Sequence, residues 1–169
     1  MINEIQKPLI DFKSKTGIGL GQIVLTNKPE RYCLLGIGTC IIIYLYDLVK
    51  MNFTMAHTVL PLQDDFNNRV SKKMPGKFVD QAIKRMLTEL SERGSKRRNL
   101  KVKIVGGASI FPGSFNIGNE NIDAARRILK ENKIPIIAEE VGGKKGRSIF
   151  SFNLDGSIEI RKQMKYYRI

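Results

Sequence analysis

Seven consecutive residues, Cys40-Ile41-Ile42-Ile43-Tyr44-Leu45-Tyr46, carry no charge and almost no polarity. They end a longer apolar stretch, Tyr32 to Tyr46, which is closed by Arg31 and Asp47 and interrupted by Gly36, Gly38 and Thr39. That stretch falls short of the ~20 residues a membrane-spanning helix needs, so no insertion into a membrane is expected. A strand apolar at nearly every position is one buried on both faces. The stretch therefore reads as a pair of buried strands, the first ending near Leu34-Leu35 and turning through Gly36-Ile37-Gly38.

The flanking pattern supplies further elements. Gly21 to Thr26 has β-branched strand character, and Met55 to Leu60 is a short strand stopped by Pro61. Lys77 to Arg93 is the clearest helix: Phe78, Val79, Ala82, Ile83, Met86, Leu87 and Leu90 form one apolar stripe. Gly94 stands where a C-terminal cap belongs. Leu100, Val102 and Ile104 alternate with lysines as a half-buried strand. A second helix is expected from Glu120 to Asn132, capped by Asn119, with Ile122, Ala125, Ile128 and Leu129 inward. Ile134 to Ala138 is a strand. Arg147 to Asn153 and Ser157 to Arg161 form a hairpin around Asp155-Gly156, a dipeptide suited to positive φ. About seven strands and two helices make an α/β or α+β domain, a mostly β core flanked by helices.

A length of 169 residues with 42% hydrophobic and 27% charged residues suits one globular domain spanning residues 1–169. Met1 to Phe12 carry two acids and no continuous apolar core, so they do not resemble an export signal. With only two cysteines, this points to a reducing compartment and free thiols. The net charge of +13 favours an acidic partner. Its basic residues are scattered as Lys72-Lys73, Lys96-Arg97-Arg98, Arg126-Arg127 and Lys144-Lys145. They form no stripe, and there is no tryptophan and no aromatic-rich segment for base stacking, which argues against nucleic acid.

Chemistry narrows to two side chains. Cys40 follows the glycine-bearing turn, and His57 is the chain's only histidine. A thiol needs a base to become a strong nucleophile near neutral pH, and histidine is the usual one. On pattern alone each reads more readily as a core residue. Two cysteines and one histidine lack the close spacing of a zinc site, so no metal is expected. Gly36-Ile37-Gly38 is no dinucleotide fingerprint, because residue 41 is isoleucine and no helix follows. No cofactor is expected.

Several motifs occur together and in order: Leu35-Gly36-Ile37-Gly38-Thr39-Cys40, Tyr46-Asp47 and Met55-Ala56-His57-Thr58-Val59-Leu60-Pro61. Lys103 to Ser109, Asn116-Ile117-Gly118-Asn119-Glu120-Asn121, Ala138 to Gly143 and Gly146-Arg147-Ser148 follow. Over residues 20 to 162, this series resembles the CheD family of chemoreceptor glutamine deamidases. The resemblance implies a cytoplasmic enzyme of bacterial chemotaxis that converts receptor glutamines to glutamates. Its partners would be the signalling helices of methyl-accepting receptors and a CheC-type phosphatase. The implied fold is a layered α/β/β/α sandwich like the catalytic domain of cytotoxic necrotizing factor.

Cys40 falls on the family's nucleophile and His57 on its base. The site loop of Gly36, Gly38 and Thr39 would let backbone N–H groups of the Gly38-Thr39-Cys40 segment hold a developing oxyanion. Pairing with His57 is expected to supply thiolate at neutral pH. The chain departs from the family at Leu34, where a threonine usually completes the triad. The orienting role then falls to a backbone carbonyl, a water, or a hydroxyl such as Thr26 or Thr58, and a reduced rate is expected. Loss of that hydroxyl also leaves a second reading open, a catalytically weakened partner of the phosphatase and the receptors. Arg147 resembles a family arginine, with a surface or hydrogen-bonding role.

Overall fold

In the computed structural model, residues 2–6, 16–64, 73–110, 116–152 and 155–169 are described. Lys72, Asn153 and most of the leading segment through Phe12 lie outside them. The strand at the apolar run, Ile41–Asp47, is buried at every position. Its side chains alternate between two cores. Ile41, Ile43 and Leu45 pack with Ala82, Ile83, Met86 and Leu90 of one helix and Ile122, Ala125 and Leu129 of another. Ile42, Tyr44 and Tyr46 pack with Leu34, Ile149, Ile158 and Ile160 of a second sheet. Each such burial contributes about 1.5–3 kcal/mol.

In chain order the strands are β1 (Asn3–Ile5), β2 (Thr16–Gly17), β3 (Ile23–Thr26), β4 (Arg31–Ile37), β5 (Ile41–Asp47) and β6 (Asn52–Thr58). Helix α1 (Val79–Glu92), β7 (Lys101–Gly106), α2 (Ile117–Glu131) and β8 (Ile136–Val141) come next. The chain closes with β9 (Arg147–Phe152), β10 (Ile158–Lys162) and β11 (Lys165–Arg168). One sheet has five strands in the order β3-β6-β5-β7-β8, and the other has six in the order β1-β11-β10-β9-β4-β2. The expected pair of buried strands exists, but its members do not pair with each other. β4 lies in one sheet against β9, and β5 in the other between β6 and β7.

The fold is mixed α+β. Both helices pack on the five-stranded sheet, so the described residues form three layers, α/β/β, and not the expected α/β/β/α. The physical reason lies in β4, where Tyr32, Leu34 and Ile37 are buried while Arg31, Cys33 and Leu35 are not. Such alternation turns one face of the sheet to the core, although Phe150 and Glu159 on its other face are buried as well.

Helix α1 ends as expected, with Gly94 at φ +79° and the Ser95 amide donating to Leu90 O at 3.0 Å. Helix α2 begins earlier than expected. Asn116 precedes it and Asn119 lies inside it. The β9–β10 hairpin forms with Ile158 opposite Ser151, a longer connection than a two-residue turn.

Helix α2 sits unusually close to the loop after β7. A Cβ on Gly118 would lie 2.6 Å from Gly107 O, and one on Gly107 2.6 Å from Ile122 Cγ1. Alanine ordinarily favours a helix over glycine by about 1 kcal/mol. Here Gly118→Ala is expected to destabilise instead, by about 1–3 kcal/mol, as overpacking does. A urea unfolding midpoint at or above the parent's would disprove this close seating.

Candidate functional site

Between β4 and β5 the chain passes from one sheet to the other, and Cys40 stands at the end of that passage. Its side chain is half-buried and packs against the core between the sheets. Two hydrogen bonds hold the passage by its carbonyls: the Gly107 amide donates to Cys40 O at 2.7 Å and the Ala108 amide to Gly38 O at 2.8 Å. The approach is possible because residue 106 is glycine. It has φ +123°, and a Cβ there would lie 2.3 Å from Cys40 O. Ile110 closes over Gly38 so tightly that a Cβ on Gly38 would meet its Cδ1 at 2.6 Å.

His57 lies on β6 directly opposite Ile42 of β5. Residues at alternate positions share a face, so His57 lines up with Met55 and Phe53, both in the core between the sheets. Cys40 packs against that same core and precedes Ile42 by two positions. Cys40 and His57 thus face the same core, one just beyond the end of β5 and the other on its neighbour β6. The thiol and the imidazole are on one side of the sheet. Among the described residues no hydrogen bond joins Cys40 Sγ to His57; catalytic hydrogen bonds are often long before substrate binds.

The imidazole is held from behind. His57 Nδ1 is 3.0 Å from Ile18 O. A carbonyl only accepts, so Nδ1 carries the proton and Nε2 presents a lone pair. The strand is pinned there too, by Gly21 N donating to His57 O at 2.8 Å and His57 N to Gln22 O at 3.0 Å. Thus a backbone carbonyl meets Nδ1. Neither hydroxyl does so, since Thr26 Oγ1 accepts from Lys28 N at 3.0 Å and Thr58 Oγ1 donates to Ile41 O at 2.9 Å. Leu34 is buried in the core between the sheets, opposite Ile149.

Burial lowers the His57 pKa below its ordinary value, with the hydrogen bond to Ile18 acting the other way. Burial raises that of Cys40, only partly offset by its own amide N–H. Both shifts favour the neutral forms. Neither shift favours the thiolate and imidazolium forms expected at neutral pH.

Of the two roles expected for it, Arg147 has the hydrogen-bonding one and not the surface one. Its side chain is fully buried and ion-paired with Glu140 Oε2 at 2.8 Å. It donates through Nη1 to Gly106 O at 3.0 Å and to Glu140 O at 2.7 Å, and through Nη2 to Gly142 O. Lys162 Nζ meets Glu140 Oε1 at 2.8 Å. Arg147 thereby ties together the two glycine turns, and the Gly106–Gly107 turn in turn carries the amide that holds Cys40 O. A sequence signal existed in the two glycine pairs that precede it, 106–107 and 142–143. The partner carbonyls, being backbone, left no trace in residue type.

Three comparisons bear on this arrangement. Residues 59–162 match the family model described as CheD chemotactic sensory transduction. A Clostridium novyi (strain NT) protein named "Probable chemoreceptor glutamine deamidase CheD" is 40% identical over 154 residues, covering 88% of this chain and 93% of that protein. The "Chemoreceptor glutamine deamidase CheD" of Thermotoga maritima is 36% identical over 150 residues, covering 88% of this chain and 92% of its own length. The family match begins beyond His57, but alignments over 88% of the chain leave too little at either end to omit Cys40 or His57. The crystal structure of Bacillus licheniformis hypothetical protein YfiH overlaps 77% of this chain at 16% identity and a TM-score of 0.46.

The preference for neutral forms has a direct readout. Iodoacetamide is expected to modify Cys40 slowly at pH 7 and faster as pH rises, with a midpoint above the ~8.5 of a free cysteine. Mass mapping separates Cys40 from Cys33. A midpoint below 7 would mean a resting thiolate–imidazolium pair instead.

Proposed function

Because the chain belongs to the CheD family, we propose that it is a protein-glutamine deamidase acting on chemoreceptors, with Cys40 as nucleophile and His57 as general base. The observation that carries this reading is the same-face placement of the two side chains, with His57 Nδ1 tied to Ile18 O and Nε2 left to accept a proton.

A primary amide resists water, and dividing its hydrolysis into acylation and deacylation lowers the barrier. Cys40 Sγ attacks the glutamine carboxamide carbon as its proton passes to His57 Nε2. The tetrahedral oxygen is stabilised by backbone N–H groups of the Gly38-Thr39-Cys40 segment. In support, the carbonyls of Gly38 and Cys40 are taken by Ala108 and Gly107, and the Cys40 amide already acts on its own sulfur. Gly36 and Gly38 keep the loop free of side-chain bulk, and Thr39 extends it. His57 then gives its proton to the leaving nitrogen, the C–N bond breaks and ammonia departs. Water attacks the thioester as His57 takes a proton from it. Release of glutamate returns that proton to Cys40 Sγ.

In this scheme Ile18 O serves where the family's threonine would, holding the imidazole tautomer and stabilising the imidazolium when it forms. A neutral starting pair needs no threonine to keep an ion pair. The protein works as one domain in the cytoplasm, with receptor signalling helices as substrate and a CheC-type phosphatase as second partner. The net charge of +13 supports attraction to an acidic surface.

Mass spectrometry of a receptor cytoplasmic fragment tests the reaction, since each Gln→Glu conversion adds about 1 dalton. Cys40→Ala is expected to abolish the gain. His57→Ala should lower kcat by about 10²- to 10⁴-fold, the usual weight of a general base. An undiminished gain with Cys40→Ala would remove the assigned nucleophile.

Protonated His57 cannot act as base, and its pKa lies below the ordinary value. The acidic limb of kcat/KM is therefore expected below pH ~6.5; a limb at 7 or higher contradicts a desolvated neutral base. Charge attraction predicts an apparent receptor affinity that weakens steadily with added salt, and a flat salt response would exclude it.

A further inference from the structure

The antiparallel ladder between β5 and β6 ends at Ile41 opposite Thr58. Its last side-chain tie is Thr58 Oγ1 donating to Ile41 O. Beyond it the strands part company. The Val59 and Leu60 amides both donate to Lys77 O, while Cys40 O accepts from the loop after β7. The nucleophile thus sits just past the point where strand pairing would fix its distance from the base.

One side chain spans that gap. Asn121, on the first turns of α2, is fully buried. Its Nδ2 donates to Thr39 O at 2.9 Å and to Val59 O at 3.0 Å. Thr39 adjoins Cys40, and Val59 follows His57 on the strand end. We propose that Asn121 is a positioning residue, whose single amide nitrogen sets the spacing between the nucleophile segment and the base strand. The inference rests on the pairing of Cys40 with His57 given above.

The chemistry of the amide suits this. Both partners are carbonyls and can only accept, so the side chain's orientation is fixed by its two N–H donors. A hydroxyl offers one proton, and a carboxylate none. The geometry has a drawback, because Asn121 Oδ1 is buried without a hydrogen-bond partner among the described residues. Buried acceptors are satisfied in the great majority of cases. An apolar residue here would take the donor from the carbonyls of Thr39 and Val59, so the amide both satisfies and aligns the two strand ends. Asn121 is nevertheless held in place by the close seating of α2, where Gly118 meets Gly107 and Ala108 backbone. The same loop supplies the amides that grip Gly38 O and Cys40 O. Helix, loop and both strand ends are therefore tied to one another by close contacts and hydrogen bonds.

Asn121→Leu keeps similar volume and removes both donors. It is expected to lower kcat on a receptor fragment by about 10- to 100-fold, the loss that a misplacement near 1 Å produces, with KM changed less than about twofold. A purely structural role is separated by thiol reactivity. In the otherwise unaltered chain, His57→Ala should slow iodoacetamide modification of Cys40 at pH 7. In the Asn121→Leu background, His57→Ala should change it little, because the pair is already uncoupled. If His57→Ala slows modification equally in both backgrounds, the spacing does not depend on Asn121 and the inference is overturned. If it has no effect even with Asn121 present, the Cys40–His57 pairing is itself wrong and the inference falls with it. Should Asn121→Leu fail to fold, Asn121→Ser, retaining one donor, gives the same cycle with an intermediate loss expected; coupling equal to the parent's would again overturn it.

Discussion

One strand belongs to two cores. Ile41, Ile43 and Leu45 of β5 are held by the helices, while Ile42, Tyr44 and Tyr46 are held by the opposing sheet. A one-residue slip would exchange every contact on both faces. β5 is therefore pinned in register from two sides, along with whatever is attached to its ends. Cys40 is attached to one of them. Its half-buried position follows from standing where the doubly covered strand emerges from between the layers. The adjacent β6, locked to β5 over its whole length, delivers His57 to the same face.

The same burial that fixes the geometry sets the chemistry. Withdrawing an imidazole and a thiol from water disfavours both charged forms, lowering the His57 pKa and raising that of Cys40. A neutral imidazole is ready to accept a proton, and a desolvated sulfur becomes reactive only as that proton leaves. In the proposed reaction, charge would appear only during attack, where the amide groups of the loop could meet it. A resting ion pair would need a polar third group to hold it. A neutral pair needs only a fixed tautomer, and the 3.0 Å contact to Ile18 O supplies that.

Sequence pattern captured what apolar periodicity controls. β5, α1 and the β9–β10 hairpin formed close to where residue pattern put them, because each buries a stripe or face large enough to dominate its local choice. β1, β2 and β11 were not legible. They are short, with Asn3, Glu4, Thr16 and Gly17 exposed, and their ladder bonds to a neighbouring strand are what make them strands. The start of α2 was misjudged for a related reason. Asn119 looks like a cap, yet the chain enters the helix at Ile117 because Gly118 must pack against the β7 loop. Which strands pair was also beyond pattern. β4 and β5 follow one another in sequence and part into different sheets, a choice made by tertiary packing.

Of the candidate site, residue types pointed to Cys40 and His57 as candidates and concealed what holds them. Ile18 acts through a carbonyl that any residue would possess, so no substitution pattern in a single chain could mark it. Arg147 and Asn121 were visible as letters, but apart from the Glu140 carboxylate their partners named above are again backbone oxygens: Gly106, Glu140 and Gly142 for one, Thr39 and Val59 for the other. On the proposed reading, main-chain groups of strands pinned on both faces would take over the orienting role of a side-chain hydroxyl at position 34. Leu34 instead adds an apolar contact to the core that keeps those strands in register.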